Sequence, residues 1–203
     1  MKKASLLAFL VTFSTAALFA ADSPPVGSAA PDVSVTDSKG NAHSLSQYKG
    51  KYVVLEWFNP ECPFVKKHYG SGNMQKLQAE FTGKGVVWLT IDSSAPGTEG
   101  SLTPEQANKT MADWKTHSTA LLLDSDGKAG RAYGAKNTPH MFVVNPEGKV
   151  IYEGAIDSKA SPNPADIPSS TNYVKAALDE SMAGKSVSTP NSRPYGCSVK
   201  YGK

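Results

Sequence analysis

The segment that most constrains the fold is an apolar run that ends shortly before a cysteine and a proline. Residues 52–58 are rich in β-branched and aromatic side chains, which is typical of a buried strand. Pro63 fits the first position of a helix, where its missing N–H leaves no hydrogen bond unmade. A residue before proline prefers extended backbone, so Cys62 is expected at the helix cap. The pattern predicts a strand, a cysteine and a helix in immediate succession.

Other apolar runs of strand length follow, and segments with helical spacing separate them. The last two runs are joined by the short turn 145–148, which predicts an antiparallel pair. Strands alternating with helices, then a hairpin and a terminal helix, favour an α/β fold with a mixed central sheet flanked by helices and an N-terminal β-hairpin extension. The predicted strands are 33–36, 52–58, 86–91, 120–123, 141–144 and 150–152, and the predicted helices are 63–69, 74–81, 103–117, 129–133 and 171–182.

The first 21 residues have the composition of a secretory signal. A basic start precedes the weakly apolar stretch 4–20, and small residues come before Asp22. We predict cleavage near residue 20 or 21, which would make the mature protein periplasmic or secreted and leave it without a membrane attachment. The domain organisation predicted from these boundaries is a signal at 1–21, one folded domain at 22–183 and a tail at 184–203 that carries Cys197.

Charge excludes several classes of partner. The signal carries two lysines, so its removal would lower the net charge from +3 to +1. Such a balanced chain predicts no nucleic-acid partner and no anionic-membrane partner. The sequence also contains no glycine pattern for binding a nucleotide, and no cofactor is predicted.

Cys62 and Cys197 are the only cysteines, and export would place them where disulfides persist. One interpretation is a structural disulfide that closes a long loop and stabilises the fold by a few kcal/mol. The other is that the tail folds back so that Cys197 resolves an intermediate formed on Cys62. The sequence leaves both open, because it does not fix the distance between the two residues.

The spacing of glycines, prolines and acidic residues resembles that of thioredoxin-like redoxins. Within these, the chain is most similar to the alkyl hydroperoxide reductase and thiol-specific antioxidant group, over about 26–178. The residues that carry the resemblance are Gly27, Ala30, Pro31, Asp32, Gly40, Leu45, Gly50, Lys51, Cys62, Asp124, Asp126, Gly127, Tyr133, Gly134, Thr138, Pro139 and Gly148. This chain differs from two family signatures. Val65 stands where thioredoxins have a second cysteine. Asn59 stands where peroxiredoxins have Thr or Ser, and Leu55 stands where they have Pro.

The resemblance implies a site around Cys62. Thr138–Pro139 corresponds to the loop that faces the cysteine in thioredoxin folds, where the proline is cis and the preceding backbone pairs with a substrate strand. We therefore assign Cys62, Cys197 and Pro139 to catalysis. Substrate contact is assigned to Thr138 and His140 on the opposing loop, and to Trp57 and Pro63 on either side of the cysteine in sequence.

The chemistry expected of Cys62 is that of a thiolate. Helical amides and Lys66, one turn along, should lower the pKa of Cys62, whereas Glu61 should raise it. The backbone donors are fixed and Glu61 can turn into water, so we expect a net lowering.

The leading hypothesis is an exported thiol oxidoreductase that acts on a disulfide-bearing protein or on a peroxide, with an unidentified thiol as its reductant. Two alternatives remain. One is a non-catalytic binding module with a structural Cys62–Cys197 disulfide. The other is a copper carrier that uses Cys62, Cys197, His68, His140 and Met141 as soft ligands, although these residues lack a tight chelating spacing.

Overall fold

The computed structural model describes residues 22–203, so the predicted signal lies outside the described residues. The strands are β1 Val35–Thr36, β2 Ala42–His43, β3 Val53–Trp57, β4 Val87–Asp92, β5 Ala120–Leu123, β6 Asn137–Thr138, β7 His140–Val144, β8 Val150–Gly154 and β9 Cys197–Ser198. The α-helices are α1 Pro63–Gly70, α2 Asn73–Thr82, α3 Pro104–Asp113, α4 Lys128–Ala132 and α5 Tyr173–Met182, and short 3-10 helices occupy Leu45–Tyr48 and Pro164–Ser169.

A five-stranded sheet in the order β5-β4-β3-β7-β8 forms the centre of the molecule. The strands β3, β4 and β5 run parallel, whereas β7 is antiparallel to β3 and β8 is antiparallel to β7. Parallel neighbours need a crossover connection, and helices supply it here. The mixed sheet and the antiparallel pair that ends it are therefore confirmed.

Two apolar clusters cover the faces of this sheet. Side chains alternate along β3, so Val54 points to one cluster and Val53, Leu55 and Trp57 point to the other. The first cluster contains Cys62 and the buried faces of α1, α2 and α5. Every residue of β3 is buried, which places the end of this strand inside the fold.

Three predicted elements have different ends in the structure. The strand at 33–36 is reduced to β1, which pairs with β2 as the predicted N-terminal hairpin. The helix predicted to reach residue 117 ends at Asp113, because Lys115 adopts a left-handed φ of 50° and Gln75 Nε2 donates to the Trp114 carbonyl (2.7 Å). Met182, predicted on the buried face of α5, is 39% exposed because it is the last residue of the helix.

The tail that follows α5 returns across the carboxyl end of the sheet. Ser192 N donates to Glu153 O (3.1 Å), and β9 pairs antiparallel with β6. The Ala95 amide then donates to Lys200 O (2.8 Å). Within residues 22–203, none of the helices combines the length and the apolar character needed to cross a bilayer.

Candidate active site

Cys62 lies at the junction between β3 and α1. It is the N-cap of α1, with extended φ and ψ of −67° and 122°, and Pro63 occupies the first turn. The amides of Val65 and Lys66 donate to the Cys62 carbonyl (3.1 and 2.9 Å). The predicted cap position is therefore confirmed, although the Cys62 side chain is fully buried.

The loop before β7 faces this cysteine. Trp57 at the end of β3 is in register with His140, the first residue of β7, which brings the preceding residues beside the start of α1. The Thr138–Pro139 peptide bond is cis, as the resemblance implied. The Thr138 carbonyl oxygen lies 3.1 Å from Cys62 Sγ, and the Pro139 ring is buried.

The tail supplies the second sulfur of the site. Because Cys197 is paired with Thr138 across the β6–β9 ladder, its side chain lies against Cys62. The two Sγ atoms are 2.8 Å apart, and both cysteines are unbridged. A pair 135 residues apart in sequence is thus close enough for a disulfide to form directly.

The two thiols have opposite tendencies to ionise. Burial, the largest influence, raises the pKa of Cys62, but hydrogen bonds, chiefly with the Cys197 side chain, outweigh it and lower that pKa from its ordinary value. Burial, the hydrogen bond to Cys62 and the charge on Cys62 raise the pKa of Cys197 to about 12. Of the two thiols, Cys62 therefore loses its proton more readily than Cys197.

The cause of the lowered Cys62 pKa differs in part from the prediction. The amide of Val65 contributes, as expected of a helix start, but the largest lowering contribution comes from Cys197. Cys197 is remote in sequence and becomes a neighbour of Cys62 only through the fold. The predicted contribution of Lys66 is not among the causes.

The structure separates the predicted substrate-contacting residues into two groups. Pro63 is exposed at the start of α1, and the Thr138 backbone borders the site. Trp57 is fully buried, and its Nε1 donates to Ser93 Oγ (3.0 Å) in the cluster on the other face of the sheet. His140 is 1% exposed, and its ring nitrogens lie near Glu153 Oε2 (3.2 Å) and the Lys136 amide (3.4 Å). Direct substrate contact by Trp57 or His140 does not fit this burial, because strand alternation points both side chains into the fold.

A buried ion pair beside the tail was missed from the sequence. Lys67 Nζ donates to Asp157 Oδ2 (3.0 Å), and their side chains are 0% and 2% exposed. Tyr195, two residues before Cys197, donates its hydroxyl to Asp157 Oδ1. The partners are 90 residues apart, so no local pattern links them.

A buried carboxyl group in β3 was also missed. Glu56 is fully buried and accepts hydrogen bonds from Trp88 Nε1 (2.8 Å) and the Tyr69 hydroxyl (2.9 Å). Here the sequence did contain a signal, because a lone acidic residue inside an otherwise apolar strand is rarely left without partners. This network links β3 and β4 to α1, the helix that begins beside Cys62.

Metal binding receives no support from the geometry. Within the described part of the chain, no group of three or more His, Cys, Asp or Glu side chains comes together to hold an ion. His68 Nδ1 lies 2.9 Å from Asn73 Nδ2, and His140 is committed to Glu153. The copper carrier hypothesis is therefore supported by the proximity of the two cysteines alone.

Known proteins with similar sequences and folds also indicate a thiol oxidoreductase. The profile of the AhpC/TSA family matches residues 26–153. A thiol-disulfide oxidoreductase ResA from Bacillus thuringiensis subsp. konkukian is 27% identical over 128 residues, which cover 63% of this chain and 68% of the relative.

Two solved structures share the fold. A hypothetical protein from Sinorhizobium meliloti 1021 is similar with a TM-score of 0.75 and 24% identity, covering 89% of this chain and 96% of that one. The thioredoxin domain of a thiol-disulfide oxidoreductase from Bacteroides vulgatus gives a TM-score of 0.53 at 25% identity, covering 72% and 98%. The chain belongs to the AhpC/TSA family, and it is an oxidoreductase with the thioredoxin-like fold.

Proposed function

We propose that the protein is an exported thiol-disulfide oxidoreductase with Cys62 as nucleophile and Cys197 as resolving thiol. The observation that carries this proposal is the 2.8 Å separation of the two sulfurs at the start of α1, opposite the cis Pro139. The relative named as a thiol-disulfide oxidoreductase supports disulfide exchange in preference to peroxide reduction. Export rests on the composition of residues 1–21.

The reaction takes place in two exchanges. The Cys62 thiolate attacks one sulfur of the partner disulfide, so a Cys62–partner bond forms and the other partner sulfur leaves as a thiolate. Cys197 then attacks the Cys62 sulfur, so a Cys62–Cys197 bond forms and the first partner sulfur leaves, taking up the Cys197 proton. Two electrons pass from the two thiols to the partner disulfide. Two thiol groups of an external reductant must later reduce the Cys62–Cys197 bond, and they are oxidised to a disulfide in turn.

The order of the two exchanges follows from the pKa values. Two of the influences that raise the pKa of Cys197 are its hydrogen bond to Cys62 and the charge on Cys62. Both weaken when Cys62 becomes part of a mixed disulfide, because its sulfur is then neutral. Cys197 therefore becomes a better nucleophile once the first exchange is complete.

The first prediction is that Cys197→Ser traps the intermediate. Mixed with a disulfide-bearing protein, the reduced variant should accumulate a mixed disulfide at Cys62, because serine cannot release the bound sulfur. The unsubstituted chain should instead end with a Cys62–Cys197 bond and a reduced partner, and Cys62→Ser should form neither. Mass spectrometry of peptides under non-reducing conditions distinguishes these products.

A parallel reaction with hydrogen peroxide tests the other substrate class. Oxidation of Cys62 to a sulfenic acid by peroxide, with no exchange on any disulfide, would assign the protein to peroxide reduction instead. The proposal fails altogether if Cys62 forms no adduct with disulfide or peroxide.

A non-catalytic binding module is the second candidate, and the complete burial of Cys62 favours it. This function predicts a permanent Cys62–Cys197 disulfide. The reduction potential of that bond separates the two candidates: a structural disulfide lies below about −300 mV, whereas a catalytic one is less negative.

A further inference from the structure

The tail covers Cys62 as an added strand. Gly196 O accepts from Asn137 Nδ2 (3.0 Å), Cys197 is paired with Thr138, and the Val199 amide donates to Lys136 O (3.1 Å). Cys62 has no exposed surface in this arrangement. A partner disulfide can therefore reach the Cys62 sulfur only after this strand has moved away.

The position before Cys197 accepts only glycine. Gly196 has a φ of 120°, which side-chain-bearing residues rarely adopt. A Cβ atom at this residue would lie 2.0 Å from the Thr138 carbonyl oxygen and 2.9 Å from its carbonyl carbon. Both obstacles are backbone atoms, so rotation of a side chain cannot remove the clash.

The residue before this glycine is recognised by buried groups. The Tyr195 hydroxyl donates to Asp157, whose other carboxylate oxygen accepts from Lys67 Nζ at 3.0 Å. The Tyr195 ring packs on Phe64 with centroids 5.7 Å apart, and Lys67 Nζ lies 5.7 Å from the ring centroid. With the tail in place, Asp157 and Lys67 are almost completely buried, so the groups that hold the Tyr195 hydroxyl lie inside the fold and not on its surface.

We propose that this edge is the docking groove for the disulfide partner and that the partner presents an extended segment with the sequence aromatic-Gly-Cys. The inference rests on the proposed function and adds the substrate class to it. Tyr195, Gly196 and Cys197 form an internal copy of that segment. The tail segment must leave the groove before the partner segment binds, and its return to the groove displaces the partner.

Strand exchange and disulfide exchange are coupled in this scheme. When the partner strand lies on Asn137 and Thr138, its cysteine takes the place of Cys197, and Cys62 attacks the partner disulfide with loss of the second partner sulfur as a thiolate. When the tail pairs again with the same backbone, it removes the partner strand and brings Cys197 to the Cys62 sulfur. The Cys62–Cys197 bond forms as the remaining partner sulfur leaves.

The test uses peptides that reproduce the tail. The reduced, full-length Cys197→Ser protein is mixed with a nine-residue peptide of sequence 192–200, whose cysteine carries 5-thio-2-nitrobenzoate in a mixed disulfide. Attack by Cys62 releases the coloured thiolate, and the rate is followed by absorbance. Three further peptides carry Gly196→Ala, Tyr195→Leu or Tyr195→Phe. We expect the peptide with the tail sequence to react at least about tenfold faster than the Gly196→Ala or Tyr195→Leu peptide, because a tenfold change in rate corresponds to the loss of one modest contact. The Tyr195→Phe peptide should react at an intermediate rate.

Substitutions in the chain give an independent measurement. On the Cys197→Ser background, Gly196→Ala should weaken docking of the tail and raise the rate at which iodoacetamide alkylates Cys62 by about tenfold or more. Gly202→Ala is the matched control, because its added Cβ would meet only Ala95 Cβ at 3.4 Å. This control should leave the alkylation rate unchanged.

The outcomes separate this inference from the proposed function. If all four peptides react within about twofold of one another, the groove does not distinguish their sequences and the inference is wrong. The proposed function would survive that result, because Cys62 has reacted. If Cys62 reacts neither with the peptides nor with 5,5′-dithiobis(2-nitrobenzoate), the nucleophile assignment fails and the inference fails with it.

Discussion

Asp157→Asn should lower the free energy of unfolding by about 3–5 kcal/mol, because it leaves the buried Lys67 ammonium group without a counter-ion. Lys67 Nζ has Asp157 Oδ2 and the Lys159 carbonyl as partners, each at 3.0 Å. His68, also buried, does not add a charge at neutral pH, because burial lowers its pKa to about 4. The amide of the variant has nearly the shape of the carboxylate, so lost packing does not account for the effect. Urea unfolding followed by circular dichroism measures it.

An exposed ion pair provides the control for this experiment. Lys109 Nζ and Asp113 Oδ2 are 2.6 Å apart on α3, but their side chains are 75% and 55% exposed. Asp113→Asn should therefore cost no more than about 0.5 kcal/mol. Equal losses of unfolding free energy for Asp157→Asn and Asp113→Asn would show that burial of the Lys67–Asp157 pair does not determine the cost of removing its carboxylate.

A double variant identifies the source of the cost. Lys67→Met with Asp157→Asn removes both charges, so it should be more stable than Asp157→Asn alone. If the double variant is less stable than the single one, lost packing of the Lys67 side chain exceeds the penalty of its unpaired charge. The loop that carries Asp157 would then be held mainly by contacts other than this ion pair.

The elements that could be predicted from the sequence are those determined by local pattern. The β3 strand and the cap position of Cys62 follow from an apolar run and from the restrictions that Pro63 imposes on its neighbour. The break between α1 and α2 coincides with Gly72, whose φ is 75°. Each of these signals is complete within a few residues.

The contacts that complete the site depend on residues that are far apart in sequence. Cys197 meets Cys62 only because the tail, which has no periodicity, pairs with β6. The same return places Tyr195 on Asp157, and no spacing in the sequence indicates it. Trp57 shows the opposite error: its place next to the site in sequence suggested substrate contact, but strand alternation turns it to the other face.

Glu56 gives the second large effect, which is a dependence of stability on pH. Burial, the dominant influence, raises the pKa of Glu56 to about 7, although hydrogen bonds from Trp88, Tyr69, Gln78 and Thr90 oppose it. Folding thus favours the protonated carboxyl group. Its stabilisation is fully present below the unfolded-state pKa of 4.5 and is lost as the pH rises through about 7.

Glu56→Gln should remove this loss of stability at rising pH, because the amide of glutamine does not ionise. The variant has its own cost from rearranged hydrogen bonds, but that cost is nearly the same at every pH. The difference in unfolding free energy between the variant and the unsubstituted chain should therefore shift by about 3 kcal/mol in favour of Gln between pH 4 and pH 8, at 1.36 kcal/mol per unit of pKa. Urea unfolding at several pH values measures the shift. Glu105→Gln is the control, since the pKa of this exposed carboxyl group is lowered and its titration falls outside most of this window. Parallel stability curves for Glu56→Gln and the unsubstituted chain would mean that Glu56 is already ionised in the fold, with its hydrogen bonds outweighing the burial.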